Sequence, residues 1–336
     1  MALNILNDRD VMINRELGLI QFYRRVLAQV LDENVPALER LRYLCIVTKN
    51  CDELFEVRIA RLLKWEKEQP NKTLPDGLKV TEALEKIRHD VSNLYNDIYS
   101  IYQNTILPLL NKYDIYILDA RQWNKEQQRW AYNYFINELK PVLTPIGIDP
   151  SHPFPRVPNK GLHFAVELDG KDQFGRESKI AIVEAPRILS RVIRLPEDLA
   201  PAPNTFVLLQ DIISLHVNEF FYGMSVRGCY PFRVTRAADL TVNSDQKNLR
   251  NALTRELHNR KYAECSRLEL DISNGEPATK FIDILLKQFN ITRADLYRVY
   301  GPVNLSRLSD IASMVDDDSL KFTPYNSGLP KELQEE

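Results

Sequence analysis

Residues 14–63 carry the feature that most constrains the fold, a continuous amphipathic pattern with two candidate helix starts. Pro36 stands where a first helical residue would, and its missing N–H costs nothing there. Asn50 followed by Glu53 has the spacing of a capping box, which satisfies free N–H groups at a helix start. The pattern therefore predicts two consecutive helices. The apolar residues expected on the buried side of the second are Leu54, Val57, Ile59, Leu62 and Leu63.

Size and composition indicate a soluble globular protein of about two domains. The chain has 336 residues, of which 44% are hydrophobic and 27% charged. Its net charge of −2 gives no global basic field, so we expect no nucleic-acid partner, although a local basic patch is compatible with it. The first ten residues lack an apolar signal region, and no apolar run reaches membrane-spanning length. The four cysteines show no CxxC spacing, so we expect neither zinc nor disulfides and a cytoplasmic location.

Residues 1–118 are predicted to form an all-helical bundle. After a turn-rich break from Gln69 to Gly77, apolar residues recur at spacings of three and four and predict a long helix. These residues are Leu84, Ile87, Val91, Leu94, Ile98 and Ile101. The tyrosines expected to pack at the core or edge of this bundle are Tyr95, Tyr99, Tyr102 and Tyr113. The bundle is expected to close between Tyr113 and Leu118.

Residues 119–315 are predicted to form a mixed α/β domain, which makes the whole chain α+β. Asn124 with Gln127 again has capping-box spacing. The strand-like segments are 162–168, 179–183, 206–209, 231–235 and 266–271. The helical patterns between them are 211–221, 244–261 and 277–289. The order of the strands in the sheet cannot be predicted from these patterns.

Several sequence segments of the chain resemble conserved motifs of the bacterial polyphosphate kinases of the histidine-phosphorylating type. RELGLIQFYRRVL is similar to the family's RELSWLxFNxRVL, and ERLRYLCIVTKNCDELFEVRIARL to its ERLxFLxIxxxNLDEFFxVRxAxL. LTPIGIDPSHPFP, FRVTRAADL, YGPVNLSRL and LKFTPYNSGLP, further along the chain, also match family words. The departures are Gly18, Leu19, Tyr23, Cys51, Leu54 and Ala237. Together these words cover residues 14 to about 330 and indicate a divergent member.

The resemblance implies a four-domain enzyme that moves the terminal phosphate of ATP reversibly onto polyphosphate, using Mg²⁺. A histidine nucleophile carries that phosphate covalently, and this histidine, the phosphate-holding arginines and the metal ligands lie in two C-terminal domains. This chain would hold the N-terminal domain, the head domain (119–315), and a linker (316–336) toward the catalytic domains. We therefore expect no catalytic or metal-binding residue here, no activity of the chain alone, and a homo-oligomer formed through the head domain.

The five histidines are predicted to be structural. His152 lies in a proline-rich loop, and His89, His163, His216 and His258 lie in helix-like or strand-like patterns without a visible partner constellation. The segment from Gly170 to Lys179 lacks Walker spacing and is predicted to be a hairpin loop.

Asn50 and Tyr43 are the candidate nucleotide-binding residues. By resemblance, Asn50 matches an asparagine that contacts the nucleotide, and Tyr43 a neighbouring aromatic position whose ring could stack on adenine. From the residues alone, Asn50 would cap a helix and Tyr43 would pack in the bundle. Both interpretations stay open, and any adenine site here would be half of a site.

Arg233 and Arg236 are the candidates for contact with phosphate or a partner chain. With Arg227 and Arg250 they could form a basic surface. The alternative is an ordinary salt-bridging strand edge.

Two hypotheses of function follow. In the first, the chain is the N-terminal and head portion of a polyphosphate kinase that acts on ATP or ADP and polyphosphate. In the second, it is a stand-alone protein that binds polyphosphate or nucleotide, or a regulatory partner of a full-length kinase.

Overall fold

The computed structural model describes residues 12–148, 154–171, 179–238, 263–325 and 328. Its helices are α1 (Arg15–Ala28), α2 (Ala37–Glu53), α3 (Ala60–Glu68), α4 (Val80–Ile101), α5 (Leu107–Asn111), α6 (Lys125–Tyr134), α7 (Leu209–His216), α8 (Thr279–Phe289) and α9 (Ser309–Met314). Its strands are β1 (Ile115–Leu118), β2 (Thr144–Ile148), β3 (Leu162–Gly170), β4 (Ile180–Ala185), β5 (Val192–Arg194), β6 (Asn204–Leu208), β7 (Met224–Arg236), β8 (Cys265–Asp271) and β9 (Leu296–Val299). The α+β prediction is confirmed.

The predicted helix start at Asn50 is wrong. Asn50 lies within α2, and the chain stays helical through a π-helical turn at Leu54–Ile59 into α3. The buried stripe of Leu44, Cys51 and Phe55 continues across this position, so core packing outweighs the local capping signal. The predicted start of the preceding helix is wrong by one residue. Pro36 is the N-cap of α2 and not its first helical residue.

Other local predictions hold. Asn124 and Gln127 form the expected capping box at the start of α6. The long helix after the turn-rich break is α4, and Tyr95, Tyr99 and Tyr102 are buried along its packed side and just beyond it. The helical pattern at 244–261 and most of the predicted hairpin loop lie outside the described residues.

The strands form two sheets. The larger has the order β2-β4-β3-β7-β8-β9, antiparallel except for the parallel pair of β8 and β9. The smaller has the order β1-β6-β5, with β1 parallel to β6. The five predicted strand segments correspond to β3, β4, β6, β7 and β8. The segment expected to close the helical bundle instead contains β1, whose partner lies in the second part of the chain.

The larger sheet is covered on both faces. Residues of β7 and β8 such as Phe232, Val234 and Leu268 share one apolar cluster with Leu285 of α8. On the opposite face, α3 and the π-helical turn pack on β8, and α4 packs on β9. Side chains that alternate with Phe232 and Leu268 therefore point toward the N-terminal helices. Among the described helices, none is long and apolar enough to cross a membrane.

Candidate functional site

The helix-facing side of β7 and β8 carries charged residues that are fully buried. Arg233, Arg267 and Glu269 are at most 1% exposed, and Asp52 of α2, which faces them, is 5% exposed. They alternate along the strands with the apolar residues of the opposite face, which places all three strand residues on the side that faces the N-terminal helices. We call these four side chains the buried charge network.

Each carboxylate of the network forms ion pairs with both guanidinium groups. Arg233 donates to Asp52 over 2.9 Å and to both oxygens of Glu269 over 2.9 and 3.0 Å. Arg267 donates to Asp52 over 2.5 Å, lies 3.7 Å from Glu269, and also donates to the Tyr95 hydroxyl. Two positive and two negative charges therefore balance in the interior.

Electrostatics keeps both carboxylates ionised. Burial alone would raise the pKa values of Asp52 and Glu269, but the charges of Arg233 and Arg267 and their hydrogen bonds hold both pKa values below the ordinary range. The network thus joins helix α2 to the sheet with permanent charges at neutral pH.

Arg233 is therefore not on a basic surface. It makes salt bridges, but in a central strand and not at the predicted edge. Arg236 is half-buried and donates to the carbonyls of Val157 and Ala263 over 2.7 to 3.0 Å. Arg227 is exposed and pairs with Asp169, and Arg250 lies outside the described residues. Contact of Arg233 or Arg236 with phosphate or a partner chain stays a prediction.

Asn50 and Tyr43 lie seven residues apart on α2 and so share one side of it. Both are half-buried, and Tyr43 packs against the large apolar core. Within the described part of the chain, no hydrogen bond involves the Asn50 amide side chain. Their part in nucleotide binding stays a prediction.

A cleft of about 790 Å³ opens beside a different side of α2, which carries Arg42, Cys45, Ile46 and Lys49. Its cationic lining residues are Arg42, Lys49, Lys160, Arg187 and Arg307, and its acidic ones are Asp52, Glu56 and Asp310. A recess of about 30 Å³ adjoins it, since Lys160, Asn304 and Arg307 line both. We call the cleft with its recess the cationic cleft. Sequence reasoning missed it, because its lining comes from several segments between residues 42 and 313.

Lys160 and Glu56 hold one wall of the cationic cleft in place. The Lys160 ammonium lies 2.8 Å from Glu56, and the Asn159 amide donates to the other oxygen of Glu56 over 2.7 Å. Lys160 has a φ of 57°, a left-handed conformation that non-glycine residues rarely adopt and that often marks functional sites. The strained backbone of Lys160 therefore marks this wall as a candidate functional site.

Arg191 gives the recess an uncompensated charge. Its Nη1 atom is buried and has no hydrogen-bond partner among the described residues. Burial, together with the nearby charges of Arg307 and Arg187, lowers the pKa of Arg191 to about 10. The side chain nevertheless stays charged at neutral pH, so the recess favours an anion.

Three of the five histidines lie in the described part of the chain. His163 is 1% exposed, and burial lowers its pKa to about 4. Burial also lowers the pKa of His216, and the His89 ring lies within hydrogen-bond distance of the Asn93 amide, one turn along α4. His152 and His258 lie outside the described residues, so their predicted roles are untested. No group of metal-binding side chains occurs among the residues that the structure describes.

Comparison with known proteins gives consistent matches. The family model of the polyphosphate kinase N-terminal domain matches residues 12–118, and that of the polyphosphate kinase middle domain matches residues 126–311. A polyphosphate kinase of Neisseria meningitidis serogroup C is 47% identical over 328 residues, which are 97% of this chain and 47% of that relative. One from Pseudomonas syringae pv. tomato is 43% identical over 331 residues, covering 98% of this chain and 44% of that relative.

The fold has a match of its own. The crystal structure of polyphosphate kinase from Porphyromonas gingivalis superposes with a TM-score of 0.75 at 21% identity, over 96% of this chain and 44% of that one. At this identity the likeness shows the fold alone. The chain spans about half the length of the curated relatives that it matches.

Fold and site together define an α+β protein whose helical part is joined to a mixed sheet by buried ion pairs beside a cationic cleft. The chain belongs to the polyphosphate kinase family, of which it carries the N-terminal and middle domains.

Proposed function

We propose that this chain supplies the N-terminal and head portion of an ATP:polyphosphate phosphotransferase. The observation that carries the proposal is the match of two consecutive domains of the family, over residues 12–118 and 126–311, together with 47% identity to a named polyphosphate kinase over 97% of the chain. The reaction would be reversible transfer of the terminal phosphate of ATP onto polyphosphate. Mg²⁺ would assist it through ligands outside this chain.

The adenine-side half-site would lie on α2. Asn50 and Tyr43 share one side of the helix, and the Asn50 amide has no hydrogen-bond partner among the described residues. A carboxamide can donate to and accept from an adenine edge, and a tyrosine ring can stack on its face. The catalytic half would cover the other side of the base.

The chain alone would not transfer phosphate. His163 is too buried to reach a phosphate. Among the described residues, the one side-chain hydrogen bond of His89 is with Asn93, which does not supply charge for phosphoryl transfer. The head portion would also form the homo-oligomer contact, which light scattering of the purified chain tests directly.

Complementation tests the proposal. We expect no ATP-dependent polyphosphate synthesis from this chain or from a separately expressed catalytic half of the Neisseria meningitidis relative, and measurable synthesis when the two are mixed. Robust turnover by this chain alone would refute its inactivity. A mixture that binds together but stays inactive would contradict the proposed contribution to the enzyme.

The cationic cleft gives a specific reason to keep the second hypothesis, a polyphosphate-binding or regulatory partner of a full-length kinase. Five cationic side chains of this chain line it. This hypothesis predicts that the chain changes the activity of an intact relative without any dependence on Asn50.

A further inference from the structure

We propose that the cationic cleft binds a linear oligophosphate, with one terminal phosphate oxygen in the recess at Arg191. The identity of this anion rests on the proposed function, whereas the need for an anion follows from the charges in the cleft. This site is separate from Asn50 and Tyr43, which do not line the cleft.

The charge balance of the cleft favours a bound anion. Lys160 is paired with Glu56, and Asp52 is neutralised inside the buried charge network. Arg42 is paired with Glu39. Among the described contacts, Lys49, Arg187, Arg191 and Arg307 have no carboxylate partner, against a single remaining acid, Asp310. Arginine and lysine that converge without partners are the usual means of binding phosphate oxygens.

The recess indicates where an end of the ligand lies. At about 30 Å³ it has room for one oxygen and not for a whole phosphate group. The unpaired Nη1 of Arg191 is a buried donor, which costs free energy until it receives an acceptor. A terminal phosphate oxygen supplies that acceptor together with negative charge.

The length of the cleft favours a chain of phosphates over a single one. Arg42 and Lys49 lie on the same side of α2, seven residues or about 10 Å apart along the helix axis. One phosphate group does not span this distance. A flexible polyanion would follow the helix from Arg42 past Lys49 toward the recess.

The lining also distinguishes between polyanions. No aromatic ring occurs among the described residues that line the cleft, so it has no surface on which a base would stack. Apart from the three carboxylates, the polar side chains there are guanidinium, ammonium, amide and hydroxyl groups, which recognise phosphate without recognising a base. An inorganic oligophosphate therefore fits better than a nucleotide or a nucleic acid.

The experiment is calorimetric titration of the 336-residue chain with tripolyphosphate, orthophosphate and ATP. We expect tripolyphosphate to bind more tightly than the other two. We expect Arg307→Gln and Lys49→Gln, both at exposed positions, to weaken it about tenfold each, in line with the loss of a charged hydrogen bond. Arg191→Gln should do the same and should raise the unfolding temperature of the free chain, because it removes an uncompensated buried charge.

Arg298→Gln is the matched control, since Arg298 is an exposed cation on β9 that pairs with Glu276 outside the cleft. It should leave the affinity within twofold. Absence of tripolyphosphate binding, or an equal loss in the control, would overturn the proposal in favour of nonspecific attraction or protein docking. Complementation without tripolyphosphate binding would reject this inference alone, whereas binding without complementation would reject the proposed function alone.

Discussion

Asp52 of helix α2 accepts a hydrogen bond from Arg233 of strand β7 over 2.9 Å, 181 residues away in the chain. Both side chains are buried, and Arg267 and Glu269 complete the charge balance around them. This hydrogen-bonded ion pair joins the N-terminal helices to the larger sheet. Replacing only one partner of such a buried pair destabilises the fold, because the remaining charge is then buried without compensation.

Removing one carboxylate should therefore destabilise the chain strongly. We expect Asp52→Ala to lower the free energy of unfolding by about 3–5 kcal/mol, because Arg233 and Arg267 then face Glu269 alone. Urea unfolding measures this change. Asp97→Ala, which removes the 50% exposed partner of Arg24, is the control and should cost at most about 1 kcal/mol. Similar small losses in both variants would show that the network contributes little.

Asn50→Ala should separate ligand binding from stability. Because Asn50 lies inside α2, alanine should leave the free energy of unfolding unchanged or raise it by a few tenths of a kcal/mol. In the complemented enzyme we expect the KM for ATP to rise while kcat changes less. Asn124→Ala removes a true cap and should cost about 1 kcal/mol without any change in KM. An unchanged KM in Asn50→Ala would remove this residue from the nucleotide site.

Asp211 should make stability fall as the pH rises. Burial and the nearby charges of Asp271 and Asp119 raise the pKa of Asp211 to about 8 in the folded chain, above its value of 3.8 when unfolded. The folded state therefore holds the proton more tightly, and stability decreases between about pH 4 and pH 8. We expect Asp211→Asn to raise the free energy of unfolding by about 1–2 kcal/mol at pH 8 and to leave it unchanged at pH 4.

Urea unfolding at the two pH values checks this prediction. The exposed Asp316→Asn serves as the control and should show no such dependence on pH. A gain for Asp211→Asn that is equal at both pH values would assign the effect to packing and not to ionisation.

Gly161 should tolerate no side chain. A Cβ atom there would lie 2.5 Å from Cε1 of the His163 ring, which is 1% exposed and packs beside the Phe232 ring. We expect Gly161→Ala to lower the free energy of unfolding by about 1–3 kcal/mol, measured by thermal unfolding.

Gly18→Ala is the matched control for this change. Gly18 lies within helix α1, and the nearest neighbour of a Cβ atom there would be Ile13, 3.8 Å away, so alanine should stabilise the chain by about 0.5–1 kcal/mol. If adding His163→Ala to Gly161→Ala restores the lost free energy of unfolding, the clash is confirmed. If it restores none of that free energy, the clash is contradicted.

Local patterns predicted those elements whose side chains repeat regularly over several turns or alternations. Helix α4 and strands β3, β7 and β8 are of this kind. Strands β5 and β9, with three and four residues, are too short to show a period. Asn50 and Glu53 have the spacing of a capping box, but Asn50 lies inside a longer helix whose apolar stripe continues past it.

The site was less predictable for a physical reason. Alternating charges in a strand usually indicate a face in water, and Arg267 and Glu269 follow that pattern. Their burial depends on Asp52, whose position in sequence gives no sign of the pairing. The cationic cleft likewise unites Lys49, Arg191 and Arg307, which become neighbours only through the fold.

The left-handed backbone at Asn304 has a further consequence. Its N–H donates to Glu269 over 3.0 Å, and the Tyr99 hydroxyl donates to the neighbouring Pro302 carbonyl over 2.9 Å. The loop that leads to Arg307 is thus fixed to the interior before any ligand arrives. An incoming anion meets a preorganised wall, so that little ordering entropy is lost on association and more of the electrostatic attraction remains as affinity.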